Sequence, residues 1–579
     1  MKKTLSLIFI FFSTLLSAQE VSCAFEQRND SATIKQVNAL IEYAKQSKSE
    51  SDEIFKIPVV IHNIYKTVNG SKTGDISKEQ MASQVDFLNE IYNAQYKSIA
   101  SGPNHGIEFY LANTLPDGTP TDGLFQYDID SLDLSETNKA LYKNCGVNAS
   151  GGCGMNDALL KGAVALPNQS YYNILLVTEM DNNDGGGGVQ GFAYFPTTSV
   201  VDGITQIYNT WGLRDEGYYP DCTSFCSNLK SYTDKGATGV HEAAHAFALF
   251  HTFQSTSSCI ETNCDLENDR CCDTPPTILN SSCSSPACNG TQQVENYMDY
   301  TSQTCKDLLT PDQGERMRLT IANSRTNLIN NFETVHEWKP TTIDVDFELP
   351  ATLCSTTQDY QFTVTNTGEN TLERLSIVYG SNYTSADTLD IVLCLLPNQY
   401  KTIHLPPLNE AGATVGMDIL KVNTLPYEME PIIRSSEVGN IEIVVEFVSD
   451  ILGSQNNWTL ERNGAVVASR ASYPNFQDET THLDTICVKG GCLTFTFNDV
   501  VGNGVCCFNG EGSLNLYVNG ELYATLPETF TDVWSVSNCE AAEIEGYYNF
   551  MGEELPSEPT EGWYIIRYTN NTYTKHLKR

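Results

Sequence analysis

The sequence predicts a multidomain chain: an α+β domain with a twisted mixed sheet, a backing helix and a histidine-bearing helix, followed by β-sandwich modules. Three observations carry this. An apolar, β-branched run and a helical repeat follow one another between residues 57 and 96. A second helical segment, from about residue 233 to 248, holds histidines four apart. Beyond residue 338 the pattern turns to period-two alternation, as in strands with one face in a core.

Lys2 and Lys3 precede an apolar run from Leu5 to Leu16, and Ser17 and Ala18 are small. Residues 1–18 therefore read as a secretory signal peptide, too short to span a membrane. Ile57 to Ile64 is a buried first strand. Met81, Val85, Leu88 and Tyr92 recur at helical spacing between Lys78 and Tyr96. Ile107 to Leu111 and Tyr171 to Val177 are further strands. The histidine helix is expected to start near Thr233 or Asp234, either of which can cap it, and to end by about Ala248. Thr310-Pro311-Asp312-Gln313 combines an N-cap, a first-position proline and a capping-box glutamine, and opens a helix running to about Phe332.

The chemistry lies in the stretch from His241 to His251. His241 and His245 stand one turn apart on a helix, so both imidazoles reach the same metal. Three neutral nitrogen ligands leave the fourth position of a tetrahedral zinc for water. Glu242 sits where a carboxylate takes the proton of that water. His251 is out of phase with the helix, so the chain must turn sharply before it. The bland alternative is an amphipathic helix whose histidines merely line up. The pattern reads as a catalytic zinc site, and the chain as a metalloprotease.

The order His241-Glu242-x-x-His245, then His251 with Thr252-Phe253, then Asn296-Tyr297-Met298-Asp299-Tyr300, resembles the pappalysin (cytophagalysin, M43) branch of the metzincin zinc peptidases. Cys272-Asp273-Thr274-Pro275 and Gly191 to Pro196 match further, and the resemblance covers about residues 55–333. It implies a metzincin-type catalytic domain: a five-stranded twisted sheet and backing helix above the cleft, and an irregular half below it. It further implies an edge strand at Gly191–Pro196, a methionine turn at Met298, and a role for Tyr300 at the metal or the reacting carbonyl. The family usually has Gly where this chain has Ala248, so a slightly strained turn is expected there. Some members read basic side chains through an acid near the end of the methionine-turn loop. Thr304 stands before Cys305 here, so an arginine preference is not carried over.

Composition bounds the rest. A net charge of −38 argues against a nucleic-acid partner and suits a secreted protein or one whose carboxylates bind calcium. Nineteen cysteines in an exported chain read as disulfides. Seven crowd between Cys259 and Cys305, where they staple the loop from the zinc helix to the Met298 turn, a Cys-rich structural zinc site being the alternative. Asp265, Glu267, Asp269 and Asp273 form a candidate calcium loop, favoured because family members bind calcium in the corresponding loop. Asp181 to Asp184 is a second acidic loop, read equally as calcium-binding or as a solvated turn. The odd cysteine count singles out Cys23. As a thiolate it is a candidate zinc ligand that displaces the water and keeps the enzyme latent, with an ordinary disulfide or a lipid-modified Cys as the alternatives.

The organisation expected is a signal peptide (1–18), a propeptide (19–52), the zinc peptidase domain (53–335), an immunoglobulin-like sandwich (340–437) with a Cys354/Cys394 pair, a Cys-rich β module (440–540) and a C-terminal segment (541–579). That last segment, with Tyr547 to Gly552 and Gly562 to Lys578, resembles the C-terminal sorting signal of the type IX secretion system of Bacteroidetes, which would make that machinery a partner. The Cys-rich module either binds polysaccharide or protein or serves as a spacer. The function expected is a secreted zinc metalloendopeptidase acting on proteins or peptides. The alternative is a secreted adhesion protein with a degenerate peptidase domain, for which Ala248 is the only sequence support.

Overall fold

The computed structural model describes residues 21–24, 29, 31–46, 53–93, 102–197, 199, 201–213, 229–254, 258–347, 352–354, 360–381, 387–405, 414–435, 437–439, 441–450, 452–475, 480–502, 504–505, 512–527, 530–538, 544–549, 554–555, 559, 562–568 and 573–578. The expected signal peptide lies outside them, as do Cys506 and Cys507.

The region that carries the histidines is organised around one long strand, β2 (Phe55–Val68), buried along nearly its whole length. It pairs in parallel with β4 (Ile107–Leu111) along its first half and with β5 (Leu124–Asp128) along its second. Its other side takes β6 (Tyr172–Val177), also parallel. β8 (Ile204–Ile207) extends the sheet in parallel, and β7 (Gly188–Ala193) runs antiparallel to β8. The sheet has eight strands, not five. The additions are β5, the short hairpin strand β3 (Ser71–Thr73), and β1 (Val21–Cys23), which pairs in parallel with β7. The parallel strands β2, β4, β6 and β8 are buried along most of their length and bury polar side chains too, among them His62, Glu108, Asn173 and Gln206.

The helix α1 (Ser31–Gln46) belongs to the N-terminal segment. The backing helix, α2 (Lys78–Asn93), is buried from Gln80 to Asn93. Its apolar repeat packs on the sheet, with the Tyr92 and Phe109 rings 5.1 Å apart. Its polar face is covered by the first β module. There Lys401 reaches Asp86 at 2.6 Å and Glu90 at 3.5 Å, while Arg374 reaches Glu108 at 2.9 Å. One hydrophobic cluster accordingly runs from the catalytic sheet into that module, through residues such as Ile57, Phe109, Leu375 and Ile391.

Two further helices, α3 (Glu136–Cys145) and α4 (Asp157–Val164), follow β5. The histidine helix, α5, spans Ala237–Ala246. It starts later than expected, because Gly236 (φ 72°) caps it and Asp234 instead accepts a hydrogen bond from Gln303. The helix α6 (Pro311–Ser324) opens with the full capping box between Thr310 and Gln313. It stops at Arg325 rather than running to Phe332, since Arg325 leaves helical geometry (φ −125°) and turns its guanidinium inward. Between α5 and α6 the described residues contain no strand and helical turns of at most four residues. Three disulfides hold this stretch: Cys259–Cys288, Cys264–Cys272 and Cys283–Cys305. Cys271 is a buried thiol among them.

Beyond this region, antiparallel sheets of three and five strands are built from described segments between Ile343 and Ser435. The Cys354/Cys394 pair is not formed: Cys394 is a buried thiol facing the catalytic domain, its backbone N–H donating to Asp86. Two four-stranded antiparallel sheets then enclose a separate core of Phe447, Trp458, Phe495, Phe497 and Leu514. In this module Cys487 and Cys492 are disulfide-bonded. Residues 544–578 form a further four-stranded sheet.

Candidate metal centre and substrate cleft

Each histidine is aimed by the element that carries it. On α5, His241 and His245 point to one side, and their Nδ1 atoms lie 2.8 Å from the Tyr297 carbonyl and 2.7 Å from the Leu249 carbonyl. A carbonyl only accepts, so both Nδ1 atoms carry the proton and both Nε2 atoms present lone pairs. The turn that brings in His251 is made by Ala248, whose φ of 68° places it in the left-handed region as expected. The three Nε2 atoms lie 3.0, 3.1 and 3.2 Å apart. Lone pairs so close repel unless a cation shares them. Tetrahedral zinc with Zn–N of about 2.0–2.1 Å would set its nitrogen ligands roughly 3.3 Å apart, so this donor set fits that metal. Burial, followed by the neighbouring imidazoles, holds His241 and His245 far below the usual histidine range, in the neutral form that ligates.

Cys23 joins the same point. Its Sγ and the three histidine nitrogens all lie within 4.8 Å of one another, and all four residues are buried. The Cys23 thiol also stands 3.4 Å from Glu242 Oε2. Glu242 is buried beside the histidines and against β7. A Cβ on Gly191 would come within 2.9 Å of the Glu242 side chain, so only glycine lets the edge strand pass so close to it. Tyr300 packs its ring on His251, with centroids 4.8 Å apart. Its hydroxyl accepts from the Cys23 N–H at 2.8 Å and lies 3.2 Å from the Cys23 carbonyl. Met298 is fully buried, and its carbonyl accepts from Thr252 N–H at 3.1 Å.

The cleft is bordered above by β7. Its free edge is occupied by β1, with Val21 opposite Gly188 and Cys23 opposite Gly191. Asn29 continues the contact by donating to the Ala193 carbonyl and accepting from Phe195 N–H.

Three basic side chains that sequence reasoning missed hold the centre in place. Lys306 donates to the carbonyls of Asn296, Tyr297 and Asp299, tying the methionine turn from below. Burial brings its amine down to about 8. Arg325 pairs with Asp202 and donates to the Ala246 carbonyl at the end of α5, while Arg316 donates to the Ala248 carbonyl at 2.8 Å. Helix C-termini leave carbonyls without intrahelical partners, and these guanidiniums satisfy them. Nothing in sequence distinguishes these three from other basic residues.

The remaining expectations divide. His62 and His105 are buried away from the cluster, and burial lowers each to about 4. The four calcium candidates do not converge. Asp265 is exposed beside Lys45, Glu267 accepts from Thr262 N–H, Asp269 is buried against Thr274 and Cys271, and Asp273 accepts from Thr310 and Asp312. No three of these carboxylates gather among the described residues. Short-range turn hydrogen bonds and the cap of α6 use these acids instead. Asp181 likewise accepts from Ala149, Ser150 N–H and the Ser150 hydroxyl. Cys264, close to Asp265, is in a disulfide with Cys272.

Comparison with known proteins accords with this geometry. Residues 162–322 match the family model Peptidase_M43, described as pregnancy-associated plasma protein-A. "Extracellular metalloprotease 1" of Coccidioides posadasii is 25% identical over 273 residues, covering 45% of this chain and 76% of the relative. An "Extracellular metalloprotease" of Sordaria macrospora is 28% identical over 279 residues, covering 46% and 76%. Among solved structures, mature mirolysin of Tannerella forsythia in complex with a cleaved peptide is 26% identical, covering 50% of this chain and all of that one, with a TM-score of 0.35. A mutant promirolysin of the same organism is 24% identical, covering 53% and 93%, with a TM-score of 0.37. The superpositions are loose, and the sequence matches carry the relationship. By that relationship the chain is a metalloendopeptidase.

Proposed function

We propose that the chain is a secreted zinc endopeptidase of metzincin type, made as a latent precursor. The observation that carries this reading is the convergence of His241, His245, His251 and Cys23 beside Glu242, under an edge strand already paired with a peptide segment. A zinc ion held by the three histidines would supply Lewis acidity, polarising a scissile carbonyl and acidifying a water. The chain's own groups do the rest. Glu242, neighbouring the histidines, takes the proton of the attacking water and later hands it to the leaving amine. Tyr300, whose hydroxyl meets both the N–H and the carbonyl of one peptide segment, donates to the oxyanion of the tetrahedral carbon. Met298 packs beneath the site without ligating. The edge of β7 takes an extended substrate by strand addition once β1 has left.

Latency follows from the N-terminal segment. Cys23 brings a sulfur to the histidine cluster, its backbone occupies the Tyr300 hydroxyl, and β1 covers the edge that substrate needs. Removal of residues 19–52 frees all three at once. Secretion is supported by the names of the extracellular relatives and by the signal-peptide character of residues 1–18. Residues 541–579 would engage the type IX machinery, and the Cys-rich module would bind polysaccharide or protein. Against the degenerate-domain reading stand the formed Ala248 turn and the position of His251 beside His245.

The test is incubation of the mature protein with a library of unstructured peptides and identification of the new termini. Glu242→Gln should lower turnover by about 10²–10⁴-fold while metal content stays at that of the native protein. Retained turnover in that variant, or cuts that persist in a zinc chelator, would reject the mechanism.

A further inference from the structure

Beside the histidine cluster, α1 covers a surface with an unusual composition. Phe195, Ala248 and Phe250 form one apolar cluster with Val37 and Ile41 of α1, and Leu319 packs at its margin. Two guanidiniums lie over the Phe250 ring, Arg316 at 5.1 Å and Arg270 at 5.9 Å from its centroid. Arg316 also meets Asn38 of α1. Arg270 and Glu42 of α1 line one crevice, together with Ile34, Lys35, Asn38 and Ala39, and Glu42 also lies 4.0 Å from Lys45.

Charge sharpens this. Burial disfavours both guanidinium cations, and the Glu42 carboxylate counteracts it at Arg270 and, more weakly than Cys271 and Asp269, at Arg316. For Arg316, Cys271 and Asp269 help in the same sense, while Arg270 opposes it. For Arg270, Glu42 is the acid that acts on it among the described residues. A half-buried cation over an aromatic face, stripped of its carboxylate, is costly and attracts another anion.

We propose that the Arg270–Phe250–Arg316 surface is a substrate subsite that α1 occupies in the latent form, and that it takes an acidic side chain flanked by apolar ones. In this scheme α1 imitates the occupant: Ile41 supplies the apolar contact and Glu42 the carboxylate. The surface is continuous with the cleft, because Cys23 belongs to the same apolar cluster and Tyr300 packs against it. Substrate chains leaving the cleft on this flank meet Arg270, the less buried of the two cations, while Arg316 stays committed to the Ala248 turn. The selection is for carboxylates at a position away from the scissile bond. It rests on the peptidase reading and on the departure of α1.

The experiment uses the mature, full-length protein and a peptide library with Glu, Gln and Lys varied at every position around the cut. The result expected is a preference of about threefold to tenfold in kcat/KM for Glu over Lys at one position on one flank. In Arg270→Glu that preference should invert towards Lys at the same position, a readout that a purely structural role for Arg270 would not produce. Cleavage with no acidic preference, or a preference unchanged in Arg270→Glu and Arg270→Gln, overturns the subsite and leaves the peptidase intact. Absence of any chelator-sensitive cleavage overturns both. As a second measurement, a synthetic peptide of residues 19–52 should inhibit the mature protein. Its Glu42→Lys form should inhibit native protein less and Arg270→Glu protein more, and equal inhibition by the two peptides would contradict the proposal.

Discussion

The two halves of the catalytic region are held together by different physics. Above the cleft, the sheet from β2 to β8 is a continuous hydrogen-bonded array whose side chains, such as Ile57, Val59, Ile61 and Leu175, are fully buried. Below it, the described residues between 249 and 310 have almost no regular structure and are fixed by three disulfides, by Lys306 under the methionine turn and by arginines at the end of α5. The site lies on the seam. His241, Glu242 and His245 come from a helix packed under the sheet, while His251, Met298 and Tyr300 come from the irregular half. The difference teaches that metal geometry depends on crosslinks and buried charge as much as on the motif itself.

The sharpest way to break this comparison is to remove Lys306. Lys306→Met removes three charge-assisted hydrogen bonds, leaving the Asn296 carbonyl to Asp299 N–H and the Tyr297 carbonyl to His241, and should cost about 3–5 kcal/mol, seen as a loss of metal affinity and of exchange protection near residues 296–300. Protection in β2 and β6 should persist. Equal losses in both halves would mean that they are not separately held. Next in size, Cys283→Ser with Cys305→Ser should cost about 2–4 kcal/mol, again concentrated below the cleft, as measured by thermal unfolding and exchange.

A pH effect sharpens the comparison further. Burial pushes the Asp269 carboxyl up to about 7, above its unfolded value near 3.8. The folded chain therefore binds a proton that the unfolded chain releases between those values, so stability falls as pH rises from about 4 to about 7. Relative to Asp269→Asn, the native protein should lose melting temperature across that window and hold level above it. A constant difference would show that Asp269 is not a buried, proton-holding acid. The smallest effect expected is a gain. Ala248→Gly relieves a left-handed alanine and should stabilise by roughly 0.5–1 kcal/mol without altering the three-histidine site.

The same division governs what the sequence discloses. The Ile107–Leu111 strand, the start of α2 at Lys78 and the capping box at Thr310 were legible, because periodicity and capping act locally. The histidine centre was legible because helical spacing and one out-of-phase histidine leave few arrangements. The supports were not. Lys306, Arg316 and Arg325 act on carbonyls made available by the tertiary fold, with no local pattern. The burial of the polar face of α2 was equally silent, since Asp86 and Glu90 meet Lys401 more than 300 residues along the chain. Asp265, Glu267, Asp269 and Asp273 are close in sequence, yet each is turned to a different neighbour.

The central claim is that three histidines hold zinc and that Cys23 completes the set until residues 19–52 depart. X-ray absorption at the zinc edge, on precursor and mature protein, tests it most directly. The account predicts three nitrogens at about 2.0–2.1 Å and one sulfur at about 2.3 Å in the precursor, with the sulfur lost from the mature form and from a Cys23→Ala precursor. A precursor whose zinc has no sulfur neighbour, or a mature form with fewer than three histidine nitrogens, would contradict it.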